Sequence, residues 1–548
     1  MATTKKPSKI KKVFRVIAYL VLSLILLATA SLITIYTAWH YYLNTQVEQA
    51  FAPIKNQDRP LTLTEIQTAY TTDNNTAAAD YYLPIMQSYV ESFERYNTAY
   101  DEAPEDQCAL LEIPFILDAP DTWHHSKQSP PEQLLTATRK YLAQNDATIQ
   151  ELINAPTFSN AHFPPDYTKG FETDMPHLGQ FRQSARLLRL YHWLAIYENR
   201  PKDALKAITA IKKLSDILHT EPTLIGSLVR LSIHRLVADE SVRVLNLHLY
   251  NDQQLQALYH LNQPLNSKDI VLKALEYERV MAMDGIDRME NQDTTAITSK
   301  NVPYVSFLYS HLGLGDLDRV KITELHQQMR DRLNQDDWYL YDIEDQIDDL
   351  PLIYAMTKVF MPALSAATNT FAQAHEEAVA IQLAIATQRY YLANKQLPKT
   401  FDALVPTYIT KVPVDEIYYN QPYQLITHTA GYIVYTPGYD EVDNKGQRTS
   451  EGEVGRGDDE FTDISIAVSF KGQDILLELF PEEEQLIIDE LEFDITNYFH
   501  RLNGEPEEYP TMNFDNMLPF LGGMMIDEFD PELEEEHDFD ETLFEEVE

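Results

Sequence analysis

The chain has 548 residues, 44% of them hydrophobic and 11% aromatic, so it is too long for one hydrophobic core and too apolar for wholesale disorder or a fibrous repeat. Its 85 acidic residues against 43 basic ones give a formal net charge of -42, which argues against nucleic acid as a partner, because phosphates need a basic surface. Cys108 is the only cysteine, which excludes an intrachain disulfide and a thiolate zinc cluster, and 16 glycines are few for a glycine-rich phosphate cradle.

The first 15 residues carry Lys5, Lys6, Lys9, Lys11, Lys12 and Arg15 and no acid. Val16 to Trp39 follows as 24 uncharged residues rich in Leu, Ile, Val and Ala. As a helix that run reaches roughly 36 Å, enough to cross a lipid bilayer. Tyr36, Trp39, Tyr41 and Tyr42 mark the far interface, and the positive-inside rule then places residues 1–15 in the cytoplasm, the span at 16–39 and the body outside. A cleaved signal peptide competes at Ala28-Thr29-Ala30, but the apolar run continues past it through Leu32, Ile33 and Ile35.

Residues 40–361 read as a helical domain. Leu205, Ile208, Ile211, Leu214, Ile217 and Leu218 form one amphipathic stripe between Lys202 and His219. Phe181 to Tyr197 precedes it across the short link Glu198-Asn199-Arg200-Pro201, which predicts an antiparallel helical hairpin. Ala204, Ala207 and Pro222 give that hairpin a resemblance to a tetratricopeptide unit, although a self-supporting array needs three or more such units and one is found. Further helices are predicted at Leu224 to Leu245, Asp252 to Leu261, Lys268 to Met283 and Val320 to Leu333, with a loop at Ala296 to Tyr304. The acids Asp336, Asp337, Asp342, Glu344, Asp345, Asp348 and Asp349 offer carboxylates for a metal site, but read rather as a solvated helix face or linker before Pro351.

Pro362 is expected to open a helix reaching about Asn394, carrying Phe371, Ala374, Ala378, Ile381, Ile385 and Tyr390 near one face. Beyond it, Tyr423 to Thr427 and Tyr432 to Tyr435 read as a hairpin around Thr429-Ala430-Gly431, and Phe461 to Phe470 as a third strand. Three strands against the helix would bury one sheet face.

The order Leu397-Pro398, Phe401-Asp402-Ala403-Leu404-Val405-Pro406, Val412-Pro413-Val414-Asp415, Pro422-Tyr423 and Gly431 to Asp440 resembles the globular part of the major pseudopilins of type II secretion. It is also similar to the C-terminal module of a group of uncharacterised membrane-anchored bacterial proteins. The resemblance implies a small α+β module over 362–470, and a calcium site in the acidic loop after the second strand. The candidate ligands here are Asp440, Asp443, Asp458, Asp459 and Asp463, since calcium takes six to eight oxygens. Against them, Lys445, Arg448 and Arg456 are available to neutralise the same carboxylates. The chain departs from the family in lacking a prepilin-peptidase site with a glutamate in the apolar helix, so such processing is not expected, and more than 300 residues separate that helix from the pilin-like one, so pilus-like packing through a continuous N-terminal helix is not expected either.

Residues 471–526 read as an acidic helical extension, with Ile487, Leu491, Ile495, Tyr498 and Phe499 at helical spacing. Residues 527–548 hold 13 acids in 22 residues and read as a disordered tail, or as a segment docking on an envelope protein with a basic surface. No GxSxG, HExxH, GxxxxGK or dinucleotide fingerprint occurs. His124-His125 reads as surface, Cys108 lies among acids that disfavour a thiolate, and His375-Glu376-Glu377 is expected on a solvated helix face. The sequence thus leads to a mainly α, single-pass inner-membrane protein whose periplasmic body binds or scaffolds without catalysis. The alternative is an anchored periplasmic hydrolase, or another enzyme, whose site in the helical domain leaves no linear motif.

Overall fold

The computed structural model describes residues 9–70, 76–101, 132–158, 163, 165–291, 303–338, 340–417, 420–438, 443, 445–446 and 463–470. Within them the chain is mainly helical, with one long apolar N-terminal helix and one small antiparallel sheet. Cys108, His124, His125, the extension over 471–526 and the tail over 527–548 lie outside the described residues.

The first helix, α1 (Lys9–Asn56), has 48 residues, about 72 Å at 1.5 Å per residue. Its apolar run is long enough to cross a membrane and is exposed along that run. Trp39 is not the end of this helix: Leu43 and Ile54 are buried and carry it onward along the body. The Trp39 Nε1–H donates to the Leu312 carbonyl at 3.0 Å, and His40 Nε2 lies 3.2 Å from the His311 carbonyl. The chain turns there at Gly313, whose φ is 75°, and a Cβ would run into the Leu43 side chain. Gly313→Val therefore adds left-handed strain to a collision, together about 2–4 kcal/mol. Urea unfolding should show that loss, and an unchanged midpoint would mean that the turn simply gives way.

The body continues through α2 (Leu63–Tyr70), α3 (Ala77–Asp101), α4 (Glu132–Gln144) and α5 (Asp146–Ile153). The expected hairpin is α6 (Pro176–Tyr197) and α7 (Pro201–Ile217), with Ile208, Ile211 and Leu214 fully buried on the predicted stripe. Asn199, with φ 52°, closes the link, and the Arg200 N–H donates to the Ala195 carbonyl at 2.7 Å. Next come α8 (Leu224–Asn246), α9 (Asp252–Leu261) and α10 (Ser267–Glu290). Asn251 and Gln254 cap α9 reciprocally.

Three helix starts differ from expectation. Where a loop was predicted up to Tyr304, α11 (Pro303–Leu312) begins, with its proline at the first helical position. α12 (Leu314–Asn334) then starts ahead of the expected Val320. After α13 (Tyr341–Asp348), which buries Ile343 and Ile347 and exposes Asp348, the long helix α14 (Ala355–Asn394) begins before Pro362 and contains it. The cause is Asp318 on α12, which caps that helix from outside. Its carboxylate accepts from the Thr357 N–H at 2.9 Å, the Thr357 hydroxyl at 2.6 Å, the Met356 N–H at 3.3 Å and the Tyr309 hydroxyl at 2.9 Å. Those bonds hold a first turn that Pro362 alone would not support. Lys395, at φ 58°, ends α14.

The strands β1 (Gln424–Thr427), β2 (Gly431–Thr436) and β3 (Ile464–Ser469) pair antiparallel in that order, with Leu425 opposite Val434 and Val434 opposite Ile466. Gly431 is required because a Cβ would strike the Val468 carbonyl of the neighbouring strand. Tyr432, Val434, Ile466 and Val468 pack in one core with Ala380, Leu383 and Ala384 of α14 and with buried residues of α6 to α9. The alternate residues Ile433, Tyr435 and Ala467 are buried too, so β2 is covered on both faces where one buried face was expected.

Candidate functional site

Two of the five predicted calcium ligands fall within the described residues. The Asp443 carboxylate accepts from the Lys445 N–H at 2.9 Å and the Asp463 carboxylate from the Gly446 N–H at 2.7 Å. Both charges lie close enough to Tyr435 to raise its phenol above the ordinary range, after burial as the larger cause. These carboxylates thus close a turn over the outer face of β2, with backbone donors already on their oxygens. Asp440, Asp458 and Asp459 lie outside the described residues. Among the described residues no group of three or more His, Cys, Asp or Glu converges as a metal site, and two carboxylates fall short of the oxygen set calcium needs.

At His375-Glu376-Glu377 the structure departs from the solvated face that was expected. Glu376 is buried at the seam between α14 and the sheet, where the Tyr423 hydroxyl bonds both its carboxylate and its backbone carbonyl. Beside it, the fully buried Asp415 accepts from the Thr436 hydroxyl at 2.7 Å and the Ile417 N–H at 3.1 Å. Burial, then the Asp415 charge, pushes Glu376 up to about 8. A carboxyl whose folded value is raised binds its proton in the fold before the unfolded chain does, so its contribution to stability declines as pH rises from about 4.5 to about 8. Glu376→Gln keeps the neutral shape and removes that decline. Its stability should exceed the parent's by about 1–3 kcal/mol at pH 8 and match it near pH 4.5. Thermal unfolding at both values checks this, and parallel pH profiles would refute it.

The densest ionisable grouping follows α10. Glu276 accepts from Arg59 just beyond α1 at 2.5 Å, from Arg330 on α12 at 2.9 Å and from Arg279 one turn along its own helix at 3.1 Å. These charges hold its carboxyl below the ordinary range although burial works the other way. His326, buried beside them, is pushed down to about 4 by desolvation and stays neutral. On the adjoining side of α10, Glu278 accepts from the Leu224 N–H at 3.1 Å and is pushed up to about 7 by burial. Next to it, Glu221 bonds His177 Nε2 at 3.1 Å and accepts from the Tyr167 hydroxyl at 3.3 Å, while His177 stacks on Phe163.

A third grouping joins α6 to α8. Glu240, wholly buried, takes Arg189 Nε at 2.7 Å, His192 Nδ1 at 2.9 Å and Arg243 Nε at 3.0 Å. In each grouping the acid is buried and at least one of its partners comes from another part of the chain: Arg59 and Arg330 for Glu276, His177 for Glu221, Arg189 and His192 for Glu240. What they do chemically is lock helices together in a fixed register. Ionisable groups shifted in this way mark sites where they meet a cleft, whereas here they face one another.

Sequence reasoning missed these acids because only one partner of each is close in the chain. Glu276 with Arg279 and Glu240 with Arg243 are spaced three apart and were readable as helix-face pairs, but Arg189 and Arg330 stand 51 and 54 positions from the acids they meet. Comparison of the chain with known protein families, with curated proteins and with solved structures finds no match.

Proposed function

We propose that the protein is a single-pass scaffold or binding protein of the bacterial inner membrane, with its N-terminus in the cytoplasm and its helical body in the periplasm. The observation that carries this reading is the continuity of α1, which passes from an exposed apolar run into the core with no linker between anchor and body. An enzyme merely retained at a membrane is well served by a flexible tether; a body bonded to its own span through Trp39, His40 and Leu43 is suited to holding a partner at a set height and orientation. The basic flank before the apolar run supports the orientation. The order of α14, the Val412-Pro413-Val414-Asp415 turn and three antiparallel strands supports keeping the pseudopilin-like reading of the last module, as a docking unit. Calcium in its acidic loop belongs to that reading and rests chiefly on Asp440, Asp458 and Asp459.

A reporter enzyme active only in the cytoplasm, fused after Glu548, should stay silent, and activity would overturn the orientation. Sequencing the mature N-terminus should find the basic segment in place, whereas a start at Ser31 would replace the anchor by a cleaved signal. Crosslinking and pulldown from membranes should return a stable envelope partner. Turnover by the purified protein in a broad hydrolase screen would favour the enzyme reading instead.

A further inference from the structure

We infer that the end of the body next to the span is itself a lipid-binding surface, in which α11 and the turn before α14 sink apolar side chains into the outer boundary of the membrane that α1 crosses. This rests on the membrane-spanning reading of α1. The height of this end along α1 is set by contacts. Leu312, the last residue of α11, accepts the Trp39 hydrogen bond, and α12 then climbs alongside α1 until Arg59 Nη1 meets Gln327 at 2.9 Å. The first turn of α12 is therefore the membrane end of the body, level with the aromatic group that closes the span.

The surface there is turned inside out. On α11 the polar Ser306 and the hydroxyl of Tyr309 are buried against the body, while Phe307 is 56% exposed and Leu312 49%. Phe307 stacks on His311 with ring centroids 4.5 Å apart, which fixes the ring outward. The second element is the 3-10 turn Leu352–Tyr354, brought to the same end because Asp318 on the first turns of α12 binds Met356 and Thr357. Leu352 there is 86% exposed, with Ile353 and Val359 also exposed.

Exposed apolar side chains on short elements, continuous with a span and level with its Trp, match the chemistry of an interfacial anchor. The exposed acids Asp348 and Asp349 adjoin the turn, so zwitterionic headgroups suit it better than anionic ones. Lys358 donates to the carbonyls of Ile347, Asp348 and Leu350 and holds that acidic corner in place.

The test uses the full chain in phosphatidylcholine nanodiscs, with Cys108→Ser as background and single cysteines carrying an environment-sensitive fluorophore. The quencher is a nitroxide high on the lipid acyl chain. Leu27→Cys reports the span. Phe307→Cys and Leu352→Cys report the proposed surface. Lys411→Cys, exposed and paired with Glu416 beside His375 in the middle of α14, roughly 30 Å of helix from the start of α14, reports bulk solvent. The proposal expects quenching at 27, 307 and 352 severalfold above that at 411. Quenching at 27 with 307 and 352 no different from 411 would overturn the surface and leave the span. No quenching at 27 would overturn the membrane-spanning reading itself.

Discussion

Glu240→Ala should cost about 3–5 kcal/mol of folding stability, because it strands three cationic or protonatable partners in a site from which water is excluded. Glu240 has no exposure at all, and Arg189, His192 and Arg243 are each nearly as buried. Burial by itself would raise this carboxyl, but the Arg243 charge, the His192 hydrogen bond and the Arg189 charge overcome it and hold it well below its ordinary 4.5. A depressed carboxyl contributes stability that is present above the unfolded value and is lost as pH falls through the folded one. The gap between parent and variant should therefore be full at pH 7 and shrink progressively below about 4.5. Urea unfolding at pH 7 and pH 3.5 measures both halves. A loss under about 1 kcal/mol at pH 7 would mean that the three partners find other acceptors, for which Asp239, near Arg189, is the first candidate.

The second large effect is expected at Glu276→Leu, again about 3–5 kcal/mol, for the same reason in a site of different consequence. Three guanidiniums converge on this one acid, and Arg279 Nε and Nη1 and Arg59 Nε have no hydrogen-bond acceptor among the described residues. Without the carboxylate the three guanidiniums repel one another, and the bonds of Arg59 to Gln327 and of Arg279 to the Pro60 carbonyl bring no opposite charge. Because Arg59 follows α1 directly, the loss should also loosen the link between α1 and the body, and proteolysis of the stretch around Gln57 to Leu61 should speed up in the variant. Adding Arg279→Met to Glu276→Leu should restore part of the loss, since it takes away the most buried unpaired charge and fills the space with an apolar side chain. Simple additivity of the two changes would show that the pair is not coupled.

These two acids explain how far a reading of the chain alone reaches. The run from α6 to α10 and the three strands were legible because each buries a face whose period, 3.6 or 2, is written in consecutive residues, as Ile208, Ile211 and Leu214 or Ile464, Ile466 and Val468 show. At Pro201 the ring's fixed φ suits a helix start, and at Asn251 a reciprocal cap holds one by local hydrogen bonding. The candidate calcium ligands were legible only as acids in a loop, and nothing local tells whether Asp463 meets a cation or, as found, the Gly446 N–H.

The sequence by itself determined the mainly helical class, the long apolar N-terminal helix and the small antiparallel sheet, because all of these follow from local composition and short-range periodicity. Only the tertiary structure decided that α1 runs on past Trp39 into the core, that α14 starts at Ala355 under the cap of Asp318, and that Glu376 is buried beneath Tyr423 instead of solvated. In each case the deciding partner lies far away in the chain: His311 and Leu312 for α1, Asp318 for α14, Tyr423 for Glu376. A hydrogen bond or a desolvated carboxyl depends on what packs over it in space, and spacing along the sequence carries no record of that neighbour.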